Sequence, residues 1–527
     1  MMDRMQRPPP AGRRRFTGPA VWIFLALGAV LLVSGSRRDL PWTPMIDEPT
    51  FVVRAMHMAA TGDLNPHWFG HPGSTLIYPL AGLFALVDPL LPGGSLLDRY
   101  PDYPDFRDVA PLFFIARLLA VAYAFAALGL VIHLGTRLQD RELGLAGAAL
   151  LLGCPTMLYY LPLARTDAAG LCFALAGMTA VFAGLERPTA CRHLLAGACT
   201  GLAAATRYPL AALGPTLLYM VFSAPPFRAS HPRLAKPGRA VLVLAAAGAV
   251  FVAVSPYTVL DFSTTWQNLI VEARHVHPGA DGFGPAQNLL WYLGVALPNN
   301  LGWPLAAVSL VSLGFFMSRL RTSPRLTATA WFFGTYLLFL VWHPLHWKRW
   351  LIPLLPWFAL AGAWGVRKIL AWLSERFTGR PRRYRAAAVF LLAVVLATPA
   401  WNMVNHAVRN ARRSTAILTL DWIRRHIPEG TPMAYEWQSA PLLGLWYPVL
   451  EKPNLALGKT LADYRRAGYR HLVVTRDSYR PYLGDPERYP QEANFYRSLF
   501  ETAELLHEVK PTLWRAGARM RVYRLPD

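Results

Sequence analysis

Charge is scarce in this sequence, and what there is leans to one sign. Only 16% of the 527 residues are Asp, Glu, Lys or Arg, against about a quarter in soluble proteins, so a string of soluble domains is excluded despite the length. Acidic residues are the rarer kind: 31 Asp and Glu stand against 53 Lys and Arg, a net charge of +22. Nucleic-acid binding would gather those cations on one face. They fall instead in short loops between apolar runs, where they set membrane orientation. Cysteine is nearly missing, and Cys154, Cys172, Cys191 and Cys199 all lie in or beside apolar segments. An external disulfide framework is therefore not indicated, and neither CxxC nor a Cys/His metal spacing occurs. The sequence also lacks internal repeats, and low complexity is confined to the N-terminal Pro/Arg stretch.

Apolar sequence is what abounds. Hydrophobic residues make up 54%, and many runs approach the roughly 20 residues with which a helix crosses a hydrocarbon core of about 30 Å. Twelve segments qualify: residues 18–35, 73–92, 111–134, 143–162, 168–185, 194–208, 209–223, 240–258, 298–317, 327–343, 350–371 and 386–403. The first follows Arg13, Arg14 and Arg15 and has no clear cleavage site after it, so it reads as an uncleaved span rather than a signal peptide.

Charge decides how many of the twelve cross. If 73–92 spans, Arg228, Arg233, Lys236 and Arg239 face outward, as do Arg319, Arg321, Arg325 and the seven basic residues from Arg367 to Arg385. If that segment only dips in or lies along the interface, all these clusters become cytoplasmic together with Arg137 and Arg141. Asp98, Asp102, Asp105 and Asp108 then fall outside. Basic loops resist translocation, so the second arrangement is expected, with about eleven spans. Pro79, Gly82, Asp88 and Pro89 suit a re-entrant or interfacial helix there.

Residues 1–403 thus read as a mainly α, polytopic transmembrane bundle, and residues 404–527 as a separate domain. In that tail, 415–426 has an amphipathic helical pattern with Ile417, Leu420, Trp422 and Ile423 on one side. Residues 431–435, 471–475 and 520–525 read as strands, and 494–506 as a second helix, which together predict a small α/β domain.

Polar residues recur at the outer ends of the spans. Asp47 and Glu48 precede a helix-like stretch opened by Pro49; alone, they could be a solvated acidic pair. His71-Pro72-Gly73 stands at the mouth of the non-spanning segment and reads equally as a helix-start turn. Arg165-Thr166-Asp167 joins two apolar helices in a very short turn, where an ion pair marks either a site or a structural lock. Arg207 and Arg349 interrupt further helices on the same face, where the charge rule disfavours cations. External cations beside external carboxylates suit an anionic headgroup and a general base. His275 and His277, near Glu272, lack a third ligand at fixed spacing, so no metal site is assigned.

With those motifs in hand, the sequence resembles the polyprenyl-phosphate-sugar-dependent glycosyltransferases of the GT-C fold. The likeness is to bacterial relatives of the dolichyl-phosphate-mannose protein mannosyltransferases and of the lipid A aminoarabinose transferase. It runs through about residues 20–400, on Asp47-Glu48, His71-Pro72-Gly73, Arg117-Leu118-Leu119, Arg165-Thr166-Asp167, Thr206-Arg207-Tyr208-Pro209, Ser255-Pro256-Tyr257 and the stretch 348–356. It departs from the pattern at 71–73, where many relatives read HisProPro or LysProPro, at Trp350 where they have Tyr, and at Arg207 where many have Lys.

The resemblance implies a multi-pass cell-envelope enzyme of the bacterial inner membrane, with its active site and C-terminal domain on the periplasmic face. Such an enzyme moves a hexosyl or pentosyl unit, with inversion, from a polyprenyl-phosphate donor to a hydroxyl of a lipid, glycan or protein. It further implies Asp47, Glu48 and Asp167 as catalytic carboxylates, with Asp47 the general base. Arg349 and Arg207, with His71 and Arg165, would hold the donor phosphate, and Arg165 and Asp167 would shape the cavity beside Asp47. The implied partners are the lipid-linked donor, the acceptor and membrane lipids. No cofactor is required by this scheme, although related oligosaccharyltransferases use a metal. A flippase for lipid-linked sugars, an O-antigen ligase or polymerase, and a silent scaffold are the competing readings.

Overall fold

The computed structural model describes residues 19–43, 45, 47–90, 95, 97, 105–223, 236–437 and 439–526. Arg13 to Arg15, Asp98, Asp102, Arg228 and Arg233 lie outside the described residues.

The bundle begins with α1 (Pro19–Gly35) and a loop that carries Asp47 and Glu48. Pro49 fits the first turn of α2 (Pro49–Thr61), because its missing N–H would be unpaired there anyway. Gly62, at φ 75°, ends α2 by donating its N–H to Met58 O. The next helix, α3 (Ser74–Val87), is only 14 residues long, about 21 Å at 1.5 Å per residue. It packs with α2 against the first half of α4 (Phe106–Leu138), burying Phe51, Leu76, Ile77, Leu80, Phe84 and Phe113.

The remaining helices follow in chain order. They are α5 (Arg141–Leu152), α6 (Pro155–Tyr160), α7 (Thr166–Glu186), α8 (Ala190–Thr206), α9 (Gly214–Ser223) and α10 (Lys236–Val254). After them come the short α11 (Tyr257–Leu260) and α12 (Phe262–Glu272), then α13 (Pro285–Trp291), α14 (Leu297–Leu301) and α15 (Trp303–Met317). The bundle closes with α16 (Pro324–Trp342), α17 (Leu355–Arg376) and α18 (Pro381–Asn410). Proline and glycine break several of the apolar runs. Pro155 separates α5 from α6, and Gly302, at φ 77°, separates α14 from α15.

The two ends of the bundle differ in their ion pairs. At one end Arg137 and Arg325 share Glu186, and Arg367 donates to both oxygens of Asp140 at 2.7 and 2.8 Å. The other end holds Asp47, Arg165, Arg207 and Arg349. Among the described residues, Arg137, Arg325 and Arg367, from three of the basic loops expected on one side, thus share acidic partners at one end. The start of α3 is held at the opposite end: Gly73 N–H donates to Thr206 O at the C-terminus of α8, and Tyr123 Oη of α4 donates to Thr75 O.

Beyond α18, α19 (Thr415–His426) opens an α/β unit with a five-stranded sheet of order β2-β1-β3-β5-β4. The strands are β1 (Met433–Glu436), β2 (Val449–Lys452), β3 (His471–Thr475), β4 (Glu504–Val509) and β5 (Met520–Arg524). β1 runs parallel to β2 and β3, while β5 is antiparallel to β3 and β4, with Thr475 opposite Met520. Side chains alternate between two cores, as the pleat requires. Met433, Tyr435, Val473 and Val522 meet Leu420 and Ile423 of α19. Ala434, Leu472, Val474 and Tyr523 meet the face formed by α20 (Leu461–Arg466), α21 (Arg476–Gly484) and α22 (Pro490–Thr502). The helix expected over 494–506 ends at Thr502 instead. Glu504 to Val509 pairs as β4, because β5 offers an open edge that local propensity cannot reveal.

Candidate active site

Five charged side chains from four separate segments form one alternating chain. Arg349, in the short turn before α17, donates from Nη1 to Asp47 Oδ2 at 3.0 Å. Arg165 donates to the same oxygen from the other side. Its Nε donates to Asp167 Oδ2 at 3.1 Å, and Arg207 Nη1 reaches Asp167 Oδ1 at 2.7 Å. Helix ends supply the positions: Arg165 caps the N-terminus of α7, Asp167 lies in that helix's first turn, and Arg207 caps the C-terminus of α8. The helix dipoles favour Asp167 at the start of α7 and Arg207 at the end of α8, whereas Arg165 sits at the unfavourable positive end of α7 and is held there by its two aspartates. In sequence these residues are up to 302 positions apart.

Asp47 is the accessible carboxylate of the set, with 36% of its side chain exposed. Burial pushes its carboxyl up, but the guanidinium groups of Arg165 and Arg349 outweigh this and hold it below the usual range. It is therefore ionised at neutral pH.

Glu48 and Asp167, expected as catalytic partners, are placed differently. Glu48 is fully buried, and Arg117 grips it through Nε at 2.7 Å and Nη2 at 2.6 Å. Its oxygens also accept from the N–H groups of Met45 and Ala164 at 2.7 and 2.8 Å. Arg117 in turn donates to the carbonyls of Ser36 and Arg38. Glu48 thus ties the Asp47 loop to α4 and to the turn before α7, and no oxygen is left for an acceptor. Asp167 is likewise buried, with each oxygen held by an arginine. Both act as struts. Arg165, expected on the donor phosphate, donates through Nε and Nη1 to the two aspartates and forms no part of the cavity wall described next.

That cavity, of about 200 Å³, is lined by His71, Arg207, Tyr208, Tyr336, Trp347 and Arg349 among others. Arg349 lies 4.8 Å from the centre of the Trp347 ring and keeps a buried Nε without a partner. Burial, with Arg207, Arg349 and Arg165 nearby, pushes the His71 imidazole down to about 3. His71 is therefore neutral and can offer one N–H but no charge. A second cavity, of about 610 Å³, lies between the bundle and the C-terminal domain. Met45, Tyr159 and Leu163 line it on one side; Trp437, Thr475, Asp477 and Tyr482 line it on the other. Asp47 is connected to both: Met45, two residues before it, lines the larger cavity, and its partner Arg349 lines the smaller.

Comparison with known proteins follows the same lines. Residues 112–259 match the family described as Dolichyl-phosphate-mannose-protein mannosyltransferase. Among solved structures, ArnT from Cupriavidus metallidurans in the apo state superposes with a TM-score of 0.52 at 14% identity, covering 96% of this chain and 97% of that one. The chain has the GT-C fold of the membrane glycosyltransferases. ArnT bound to undecaprenyl phosphate gives a TM-score of 0.50 at 13% identity, covering 96% of this GT-C chain and 98% of the other. The Archaeoglobus fulgidus oligosaccharyltransferase, tethered to an acceptor peptide, gives 0.51 at 11% identity over 95% of this chain and 74% of that one. Comparison with curated protein sequences gives no match.

Two participants escaped the sequence reading. Arg117 was noted only as part of a motif; a lone arginine inside the apolar run 111–134 signals a buried partner. Tyr336 gave no signal, since a tyrosine in an apolar helix is usually core.

Proposed function

We propose that this GT-C protein is an inverting glycosyltransferase that moves a hexosyl or pentosyl unit from a polyprenyl-phosphate donor to a hydroxyl acceptor at the outer face of a bacterial inner membrane. The observation that carries this reading is Asp47, the accessible carboxylate of the charged chain, held ionised and bonded to Arg349, which lines the smaller, arginine-bearing cavity.

The donor phosphate enters the smaller cavity, where Arg349 and Arg207 face it and His71 adds a neutral N–H. The acceptor enters from the larger cavity. Asp47 takes the acceptor hydroxyl proton as the acceptor oxygen bonds to the sugar C1 from the face opposite the phosphate. The C1–O bond to phosphate breaks, and its electron pair leaves with the polyprenyl phosphate, whose growing charge the arginines stabilise. Arg349 has two competing anions here. When it turns to the donor phosphate, its hold on Asp47 relaxes, and the carboxylate becomes a stronger base at the moment it is needed.

The test is transfer from a panel of synthetic polyprenyl-phosphate sugars by wild type and Asp47→Asn, with folding compared by thermal melt. We expect one donor to be consumed, and Asp47→Asn to lose at least about a hundredfold in rate, the scale of general-base loss. Full activity in Asp47→Asn would end the base assignment. If neither protein consumes a donor while a lipid-linked sugar changes leaflet, the flippase reading takes its place.

A further inference from the structure

Outside the charged chain, the structure brings together three metal-ligating side chains that sequence spacing does not reveal. His57 lies on the last turns of α2, and Asp63 and His67 lie on the loop that leads to α3. His67 Nε2 is 2.8 Å from Asp63 Oδ2, and His57 Nε2 is 3.8 Å from the same oxygen. All three ligand atoms fall within 4.8 Å of one another. Zinc bonds of about 2.0–2.2 Å place tetrahedral ligand atoms roughly 3.3 Å apart, so small rotations would complete the arrangement.

The surroundings hold these groups in place. Asp63 Oδ1 accepts from Asn65 N–H at 2.8 Å, and Asn65 Oδ1 accepts from His67 N–H at 3.0 Å. Asn65 Nδ2 donates to Asp261 Oδ2 at 3.0 Å, which anchors the loop to the start of α12. His67 has φ 51°, a conformation that non-glycine residues seldom adopt, and a bond to a metal would offset its cost. Asp63 and His67 have 43% and 58% of their side chains exposed, so an ion can reach them from solvent.

We propose that His57, Asp63 and His67 bind a divalent zinc-class ion through Nε2, Oδ2 and Nε2, with solvent in the remaining position. Two imidazoles and a carboxylate suit such an ion, whereas magnesium and calcium prefer all-oxygen sites. The ion acts as a clip. It fastens the far end of α2, the helix that begins beside Asp47 and Glu48, to the loop 62–73, which carries the cavity residue His71.

The experiment uses the full chain in detergent, purified without a polyhistidine tag and stripped with chelator. Zinc is then titrated calorimetrically, bound metal is counted by mass spectrometry, and melting is followed with and without zinc. Wild type should take up one zinc and melt at a higher temperature with it. His57→Ala/His67→Ala should lose that equivalent and the shift. His67→Gln should bind more weakly by at least the roughly 10–100-fold that loss of even an outer partner costs. Should the double variant not fold, Asp63→Asn at an exposed position supplies the same comparison. No zinc uptake by wild type, or equal uptake by wild type and the variants, would overturn the proposal.

Discussion

Asp47 and Glu48 are neighbours in sequence but occupy opposite environments. One is a third exposed and paired directly with two arginines; the other is sealed against Arg117. A buried ion pair loses heavily when one partner is removed, because the remaining charge has neither water nor a counterion. Arg117→Met should therefore destabilise the protein by about 3–5 kcal/mol, read as a lowered Tm in detergent. The added change Glu48→Gln should recover part of that loss. An unchanged Tm in Arg117→Met would show that the pair does not anchor the Asp47 loop. The sequence could place both carboxylates at a span end but could not tell strut from base, because that distinction depends on Arg117, 69 residues away. The same limit hid His57, Asp63 and His67, whose meeting depends on a left-handed turn at His67.

At the scale of elements, the apolar segments were largely legible because hydrophobic length registers in composition alone. All twelve correspond to helical stretches, although 143–162 and 298–317 are each broken into two helices, and α3, at 14 residues, is among the shorter apolar ones. Less legible were the breaks within runs and the short strands β2 and β4, which form only because β1 and β5 present open edges.

The sheet also holds a titratable group that sequence reading passed over. Glu436, at the end of β1, is fully buried and accepts from Thr475 N–H of β3 at 2.8 Å, from Leu455 N–H at 3.3 Å and from Tyr496 Oη of α22. Burial pushes its carboxyl up to about 7, against these hydrogen bonds. The folded state thus keeps a proton that the unfolded chain releases near the ordinary glutamate value. Stability from this group is present below about pH 4.5 and declines as pH rises to about 7. Melts of wild type and Glu436→Gln across this range should differ by a term that falls with pH. Parallel curves would show that Glu436 ionises normally.

At the scale of the whole molecule, one tie between the C-terminal domain and the site runs through the loop between α12 and α13. Arg488 and Tyr489 bind Asp281 at 3.1 and 3.3 Å, while Ala280 O accepts from His346 N–H at 2.8 Å, and Phe283 stacks on the His346 ring. The turn that carries Arg349 therefore rests on a loop that the domain holds. This arrangement was outside the reach of sequence, which predicted a separate domain without its docking surface.

The alternating chain itself has an uneven count. Three arginines face two aspartates, so one positive charge is left for a ligand. In the proposed reaction the donor is a phosphodiester with a single negative charge. The spent carrier is a phosphomonoester, which carries about −1.5 to −2 at neutral pH. The pocket should consequently grip its spent carrier harder than its substrate, and turnover would be governed by departure rather than by chemistry. Rapid-mixing experiments should then show a first turnover faster than all later ones, and added polyprenyl phosphate should compete with the donor. A linear time course from the first turnover, unaffected by added carrier, would mean that the odd charge is neutralised by something else.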